Sequence, residues 1–278
     1  MAKASYCDAH VHLAHPDLRE QETAVWAGYR EIGLQHAVVV GTSPADWAEV
    51  RALCFGRAKL LPAVGVHPWA VNTAPPEWRD AFLNMLGEGV RIIGEFGLDQ
   101  WIEDHDLERQ AEAFRWQFQI AAERNLPTSI HCLKAHQPLL EILRAVERPD
   151  RGFALHAYNG PESTIDELLE MGALFSVNSG QLKPNARRVR ELIQRLPEER
   201  LLIETDAPDF LPPEDFREFT LNGESDGRPL CHPANLRRAY SAIAEIRGCS
   251  EEALHKIVTG NFKRYFEPGY SAITPRRN

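Results

Sequence analysis

The 278-residue chain lacks the cysteine pattern of a disulfide framework or a zinc knuckle. Cys7, Cys54, Cys132, Cys231 and Cys249 are odd in number and scattered, and none forms a Cys-x-x-Cys pair, so reduced thiols are expected. No run of about 18 apolar residues occurs, which excludes an α-helical membrane span. The first residues, Met-Ala-Lys-Ala-Ser-Tyr-Cys-Asp, carry no apolar signal core, and a cytoplasmic protein is the expectation. Positive charge is in deficit, with 31 Lys and Arg against 40 Asp and Glu and a formal net charge of −9. That excludes a protein that coats nucleic acid through bulk electrostatics. It does not exclude a nucleic-acid enzyme, because bound divalent cations reverse the field locally. A Gly-x-Gly-x-x-Gly phosphate loop is missing after the first apolar run, which weakens a dinucleotide-binding fold.

What is present is a regular alternation. Short apolar runs at 5–10, 36–41, 61–67, 91–97, 127–131, 153–156, 173–178 and 201–206 are rich in Val, Ile or Phe, as strands buried on both faces should be. Between them, apolar residues recur at helical spacing. Val25, Tyr29 and Ile32 make one stripe. Leu107, Ala111, Phe114 and Phe118 make another, and Leu139, Leu143 and Val146 a third. Strand–helix alternation predicts a parallel sheet, and eight units favour closure into a single-domain (β/α)₈ TIM barrel over an open doubly wound sheet. After the eighth run, residues 207–232 hold Pro208, Pro212, Pro213, Gly223, Gly227 and Pro229. A connection this long predicts an active-site loop over the barrel mouth.

The candidate chemistry sits where the apolar runs end. In Asp8-Ala-His10-Val-His12, residues two apart share a strand face, so both histidines can look into the mouth and bind one metal. His67, Glu95, His131, His156, Glu204 and Asp206 each follow or close a later run. In a barrel these ends meet at one face, where active sites are built. Imidazole with carboxylate suits Zn, Mn, Fe or Ni better than an all-oxygen site would. A carboxylate such as Glu95 can bridge two ions about 3.5–4 Å apart, which activate water and clamp a phosphoryl or carbonyl oxygen.

The ordered set Asp8-Ala-His10-Val-His12-Leu, Gly65-Val-His67-Pro-Trp69, Gly94-Glu95-Phe-Gly-Leu-Asp99, Ser129-Ile-His131-Cys, Leu155-His156-Ala-Tyr158-Asn159-Gly160 and Glu204-Thr-Asp206-Ala-Pro208 resembles the TatD-related metal-dependent hydrolases of the amidohydrolase superfamily. His232-Pro-Ala-Asn235 and Gly260-Asn-Phe-Lys-Arg-Tyr-Phe266 extend the resemblance to nearly the whole chain. It implies a (β/α)₈ barrel, two divalent ions (Zn, Mn, Mg, Fe or Ni) and phosphodiester hydrolysis, with deoxyribonuclease action on DNA ends. By position, the resemblance gives His10 and His12 to the first metal, Glu95 to the bridge, and His131 and His156 to the second. Asp206 would bind metal and handle the proton of the attacking water. Glu204 would orient that water or add a ligand. His67 would touch a phosphate oxygen or donate a proton.

Two departures bear on substrate. The family's His-x-Arg-Asp reads His131-Cys-Leu133-Lys134 here, and its His-Cys-Phe-Ser/Thr-Gly reads His156-Ala-Tyr158-Asn159-Gly160. The guanidinium that would fork onto phosphate is missing at Leu133. A small-molecule hydrolase acting on an amide, lactone or phosphoester therefore stays open, as does a non-catalytic metal-binding protein. Lys183, Arg187, Arg188 and Arg190 read as a solvated helix face or a nucleic-acid track. Trp69 and Trp101 read as a packed rim or as platforms for a ring. His15, His36, His105, His136, His232 and His255 fit no pattern and are expected to be structural or on the surface. The oligomeric state is open, and a monomer is compatible with the sequence.

Overall fold

Each apolar run becomes a strand of one sheet. The computed structural model describes residues 5–183, 185–223 and 226–267. The strands are β1 Tyr6–Val11, β2 Leu34–Val40, β3 Leu60–Val64, β4 Ile92–Asp99, β5 Thr128–Leu133, β6 Phe153–Leu155, β7 Ala173–Val177 and β8 Leu201–Ile203. They pair in sequence order, every neighbour parallel. A parallel pair needs a crossover. Helices Glu22–Ile32, Trp47–Cys54, Trp78–Gly87, Leu107–Arg124, His136–Ala145, Ile165–Glu170 and Arg187–Arg195 supply the seven crossovers. Their apolar stripes face the sheet: Val25, Tyr29 and Ile32 are buried, as are Phe114, Phe118, Leu139 and Leu143. Among the described residues no helix is long and apolar enough to cross a membrane.

Closure runs through β1 and the segment after β8. Asp206 N–H donates to the His10 carbonyl at 3.0 Å, and His12 N–H donates to the Ala207 carbonyl at 2.9 Å. Beside them Asp8 is fully buried and acts as an acceptor hub. Its Oδ1 takes the Thr205 N–H at 3.0 Å and the His10 N–H at 3.3 Å, and its Oδ2 takes the hydroxyls of Thr205 at 2.7 Å and Tyr29 at 3.3 Å. The first and last strands are thus tied side by side within two residues of the candidate site.

The amino ends of the strands are floored by the last helix, Glu251–Phe266. Its Phe262, Tyr265 and Phe266 pack with Cys7, Val38 and Ala63 in a buried cluster separate from the main core. Its polar groups reach strand starts: Tyr265 OH bonds Thr128, and the Asn261 amide donates to the Leu201 carbonyl at 2.8 Å. With one end floored, only the carboxyl ends remain open to a ligand.

Two strands stop sooner than the sequence suggests, β6 at Leu155 and β8 at Ile203. Past each end one more backbone bond forms, from His156 N–H to the Ile130 carbonyl and from Glu204 N–H to the Val177 carbonyl, and the backbone then turns, with Ala157 at φ 42° and Asp206 at φ 55°. The described residues of segment 207–232 include regular structure. They contain a 3₁₀ turn, Glu214–Phe216, and an antiparallel hairpin of β9 Thr220–Asn222 with β10 Pro229–Cys231.

The closure network gives a stability prediction. Asp8→Ala leaves four buried or half-buried donors without an acceptor, and should lower unfolding free energy by about 3 kcal/mol. Urea titration with a chelator present isolates this from any metal contribution. A loss below about 1 kcal/mol, the value of an ordinary hydrogen bond, would show that the seam does not depend on Asp8.

Candidate metal centre

Glu95 lies in the middle of β4 and is 3% exposed, a carboxylate that water hardly reaches. Its two oxygens face opposite groups of imidazoles. Oε2 lies 3.4 Å from His10 Nε2 and 3.5 Å from His12 Nε2. Oε1 lies 2.7 Å from His156 Nε2, 2.9 Å from His131 Nδ1 and 3.4 Å from His67 Nε2. Asp206 joins the first group, with Oδ1 at 3.2 Å from His12 Nε2 and 3.5 Å from His10 Nε2. All seven of these side chains, drawn from six different strand ends, converge as the sequence predicts.

On His10, His12 and His131 the ring nitrogen that points away from the centre is fixed from behind. His10 Nδ1 meets Ser129 Oγ at 2.8 Å, and His12 Nδ1 meets the Val40 carbonyl at 3.2 Å. His131 Nε2 meets Asp99 Oδ2 at 3.0 Å. Such partners set which nitrogen is free to ligate. Ser129 and Asp99 are the functional neighbours that motif reading passes over. Period two reveals both, since Asp99 is on the Glu95 face of β4 and Ser129 on the His131 face of β5. Gly97 lets β4 come close at this point: a Cβ there would sit 1.9 Å from the His131 carbonyl oxygen.

Glu204 is held differently from Asp206. It is fully buried, and Oε1 accepts the Ala157 N–H at 2.9 Å and the Asn178 amide at 3.3 Å, while Oε2 is taken by the Ser176 hydroxyl. It faces His156 Nδ1 at 3.7 Å, a buried nitrogen that lacks a hydrogen-bond partner.

Above these groups opens a cavity of about 580 Å³. Its walls include Trp69, Trp101, Leu133, Asn159, Asp209 and Phe210, and among the described residues no Lys or Arg lines it. His15, expected to be structural or on the surface, also lines it. Arg187 and its neighbours lie away from it on helix Arg187–Arg195, where Arg187 pairs with Glu191 at 2.6 Å, the solvated-face alternative. Tyr158 is buried, its hydroxyl bonded to Thr164 at 2.6 Å.

A family model described as TatD related DNase matches residues 7–267. The chain belongs to this family. It is a metal-dependent hydrolase of the TatD type. It is 30% identical over 262 residues to YcfH of Escherichia coli K12, described as an uncharacterized metal-dependent hydrolase, covering 93% of this chain and 94% of that protein. It is 29% identical over 266 residues to the 3'-5' ssDNA/RNA exonuclease TatD of Dickeya dadantii, covering 94% and 98%. Among solved structures, that of the TatD homolog YjjV from Escherichia coli K12 superposes with a TM-score of 0.84 at 24% identity, over 94% of this chain and 98% of that one, a likeness of fold.

The donor set of this TatD-family chain fits divalent metal. His10, His12 and Glu95 offer ligand atoms all within 4.8 Å of one another, and so do His67, Glu95 and His131, and His10, His156 and Glu204. The orphaned His156 Nδ1 is a further donor facing this centre. Without a cation, protons fill the same need. Burial alone would depress the His12 imidazole, but the hydrogen bond to Asp206 and the charges of Asp206 and Glu95 hold it up at about 9. Burial likewise opposes a charged His156, and the Glu95 charge, helped by Glu204, holds it well above the ordinary range. The carboxylates answer: burial would raise Asp206, yet the charge of His10 and the hydrogen bond from His12 bring it down to about 2.

These shifts set a pH dependence. In the metal-free protein His12 is held near 9 against about 6.5 unfolded. Its stabilising contribution is therefore complete below about pH 6.5 and lost as pH rises through about 9. A metal needs the neutral ring, so its affinity rises over the same window. The difference in Tm between metal-loaded and chelator-treated protein should widen from pH 6.5 to 9. A difference that stays constant or narrows would count against His12 as a ligand. His10→Ala with His12→Ala should cut metal content, measured by atomic absorption.

Proposed function

We propose that this TatD-type hydrolase cleaves phosphodiester bonds at the ends of single-stranded nucleic acid, using two divalent ions that share Glu95. The observation that carries the reading is the two-sided Glu95 carboxylate, with His10, His12 and Asp206 on one oxygen and His131, His156 and His67 on the other. The exonuclease name of the Dickeya dadantii relative supplies the substrate class. Bound ions would polarise the phosphoryl oxygen and make the attacking water acidic.

The chain's own residues divide the remaining work. Asp206, which lines the cavity, takes the proton of the attacking water. His67 accepts the Trp69 N–H on Nδ1 at 3.1 Å, which leaves its proton on Nε2, and burial keeps the ring neutral. A neutral Nε2–H can donate to a phosphate oxygen or to the leaving group. Glu204, with both oxygens engaged by Ala157, Asn178 and Ser176, sets a fixed negative charge 3.7 Å from His156 Nδ1.

A second reading rests on the cavity. Because no Lys or Arg lines it among the described residues, nothing there follows a polyanion past the metal centre. A small phosphoester, amide or lactone would fit the same site. The proposed catalytic unit is a monomer of one barrel domain, with Asp209 and Phe210 after β8 in the cavity wall. Five free cysteines, four of them buried, support a cytoplasmic protein.

Asp206→Asn keeps the shape of the side chain and removes the base, and turnover should fall by on the order of 10² or more. The unfolding transition should move little. Metal-loaded wild type is offered end-labelled single-stranded and duplex oligonucleotides beside generic phosphodiester, ester and amide substrates, with the variant excluding contaminating nuclease. Cleavage of single-stranded ends supports the first reading. Intact oligonucleotides with hydrolysis of a small ester or amide replace it by the second.

A further inference from the structure

We propose that Trp69 and Trp101 form a stacking subsite for one unpaired nucleobase beside the metal centre, held in register with it by Asp99. The proposal deepens the nucleic-acid reading above and rests on it for the identity of the ring. Among the described residues the exposed large apolar side chains are Phe55, Trp69, Leu83, Trp101 and Phe210. Three of these five, Trp69, Trp101 and Phe210, line the single cavity over Glu95. Trp69 is 53% and Trp101 56% exposed, whereas Trp47 is buried in the core. Leaving two indoles half in water at the mouth of a site is unfavourable unless a ligand covers them.

The Trp69 ring and the Trp101 backbone are anchored to one carboxylate. Trp69 donates its indole N–H to Asp99 Oδ2 at 2.8 Å and stands edge-on to His67 with centroids 5.1 Å apart. Trp101 donates its backbone N–H to Asp99 Oδ1 at 2.6 Å. Asp99 Oδ2 also receives His131 Nε2 at 3.0 Å, so one buried carboxylate locks both tryptophan-bearing loops to a residue of the Glu95 group. A ring seated on this wall would lie at a fixed offset from the reacting phosphate.

Charge names the occupant. With no Lys or Arg in the cavity wall among the described residues, affinity beyond the reacting phosphate has to come from uncharged contact. An aromatic face serves any nucleobase, because every base has a π-face, and it serves unpaired bases only, because paired ones are already stacked. That selects a frayed or single-stranded terminus over duplex, and a nucleotide over an aliphatic ester.

Equilibrium dialysis tests this without turnover. Metal-loaded protein is offered 2'-deoxyadenosine 5'-monophosphate and, in parallel, 2-deoxyribose 5-phosphate, which has the same phosphate and no base. Wild type should prefer the nucleotide by about tenfold or more. Trp69→Ala with Trp101→Ala should erase most of that preference at unchanged metal content. Trp69→Phe, which keeps a ring and loses the bond to Asp99, should fall between, and the two single Ala variants stand in if the double variant takes up no metal. Equal binding of both probes by wild type, or a preference retained in the double variant, overturns the subsite. Oligonucleotide cleavage is scored separately. Cleavage without a base preference keeps the nuclease reading and removes the subsite. A base preference lost in the variant, with every oligonucleotide left intact, keeps the subsite and moves the substrate to a smaller nucleotide.

Discussion

A carboxylate buried at the mouth of the barrel governs this molecule. Removing Glu95 from water is unfavourable by several kcal/mol unless cations surround it. The chain answers with five imidazoles from four strands or strand ends. Those imidazoles in turn are close enough to repel one another when protonated: His10 and His12 Nε2 are 3.2 Å apart, and His131 Nδ1 and His156 Nε2 are 3.2 Å apart. Neither charge state of the metal-free cluster satisfies every group. Divalent metal held by Glu95 and these histidines would relieve both strains, since it would keep the rings neutral and supply the positive charge. Metal affinity on this view comes from a frustrated cluster that the rest of the fold is strong enough to hold together.

What holds it is the way closure and site share atoms. His10 serves the site with its ring and the β1–β8 seam with its carbonyl, which accepts the Asp206 N–H. Asp206 serves the seam with its backbone and the site with its carboxylate. Asp8, two residues before His10 on β1, fastens Thr205 and the His10 amide. The spacing of His10, His12 and Asp206 is therefore set by main-chain bonds, which are stiffer than side-chain packing. At the opposite end, Phe262, Tyr265 and Phe266 fill the barrel floor, so the apolar interior and the polar mouth never compete for the same volume.

The sequence made the barrel legible because buried parallel strands read as apolar runs and their covering helices as stripes, and eight runs with stripes between them leave little choice of topology. The ligand-type residues were legible for a related reason: His67, Glu95, His131 and Asp206 are polar groups that terminate or interrupt apolar runs, where a merely structural side chain would leave an unpaired polar atom. The ends of β6 and β8 were not legible. Strand length depends on partner bonds, and at Glu204 and Asp206 the partners are Val177 and His10, far away in sequence. The engagement of Glu204 by Ser176 and Asn178 was hidden for the same reason. So was the hairpin Thr220–Asn222 with Pro229–Cys231, whose Pro and Gly content reads as loop. Asp99 sat inside a quoted motif, but its use depends on Trp69, Trp101 and His131 arriving together, which no local pattern encodes.

Charge then decides how chemistry and specificity are divided. The net charge of −9 repels a polyanion at long range, and Asp209 at the cavity adds to this locally. Bound metal would attract one phosphate strongly but only at short range, so it would not guide a strand into place. The residues that could have guided one lie on the loops after β5 and β6. There Leu133 offers no guanidinium, Asn159 offers an amide, and Tyr158 is turned inward toward Thr164. His10 and Asp206 share the backbone bonds that close the barrel, whereas Leu133 and Asn159 line the cavity without taking part in that closure. A chain can keep the hydrolytic centre intact and exchange a basic, backbone-following rim for a neutral, ring-accepting one. Its reaction would remain metal-dependent hydrolysis, and its preferred substrate would shift toward short, frayed or mononucleotide-sized ends, which present one phosphate and one open face.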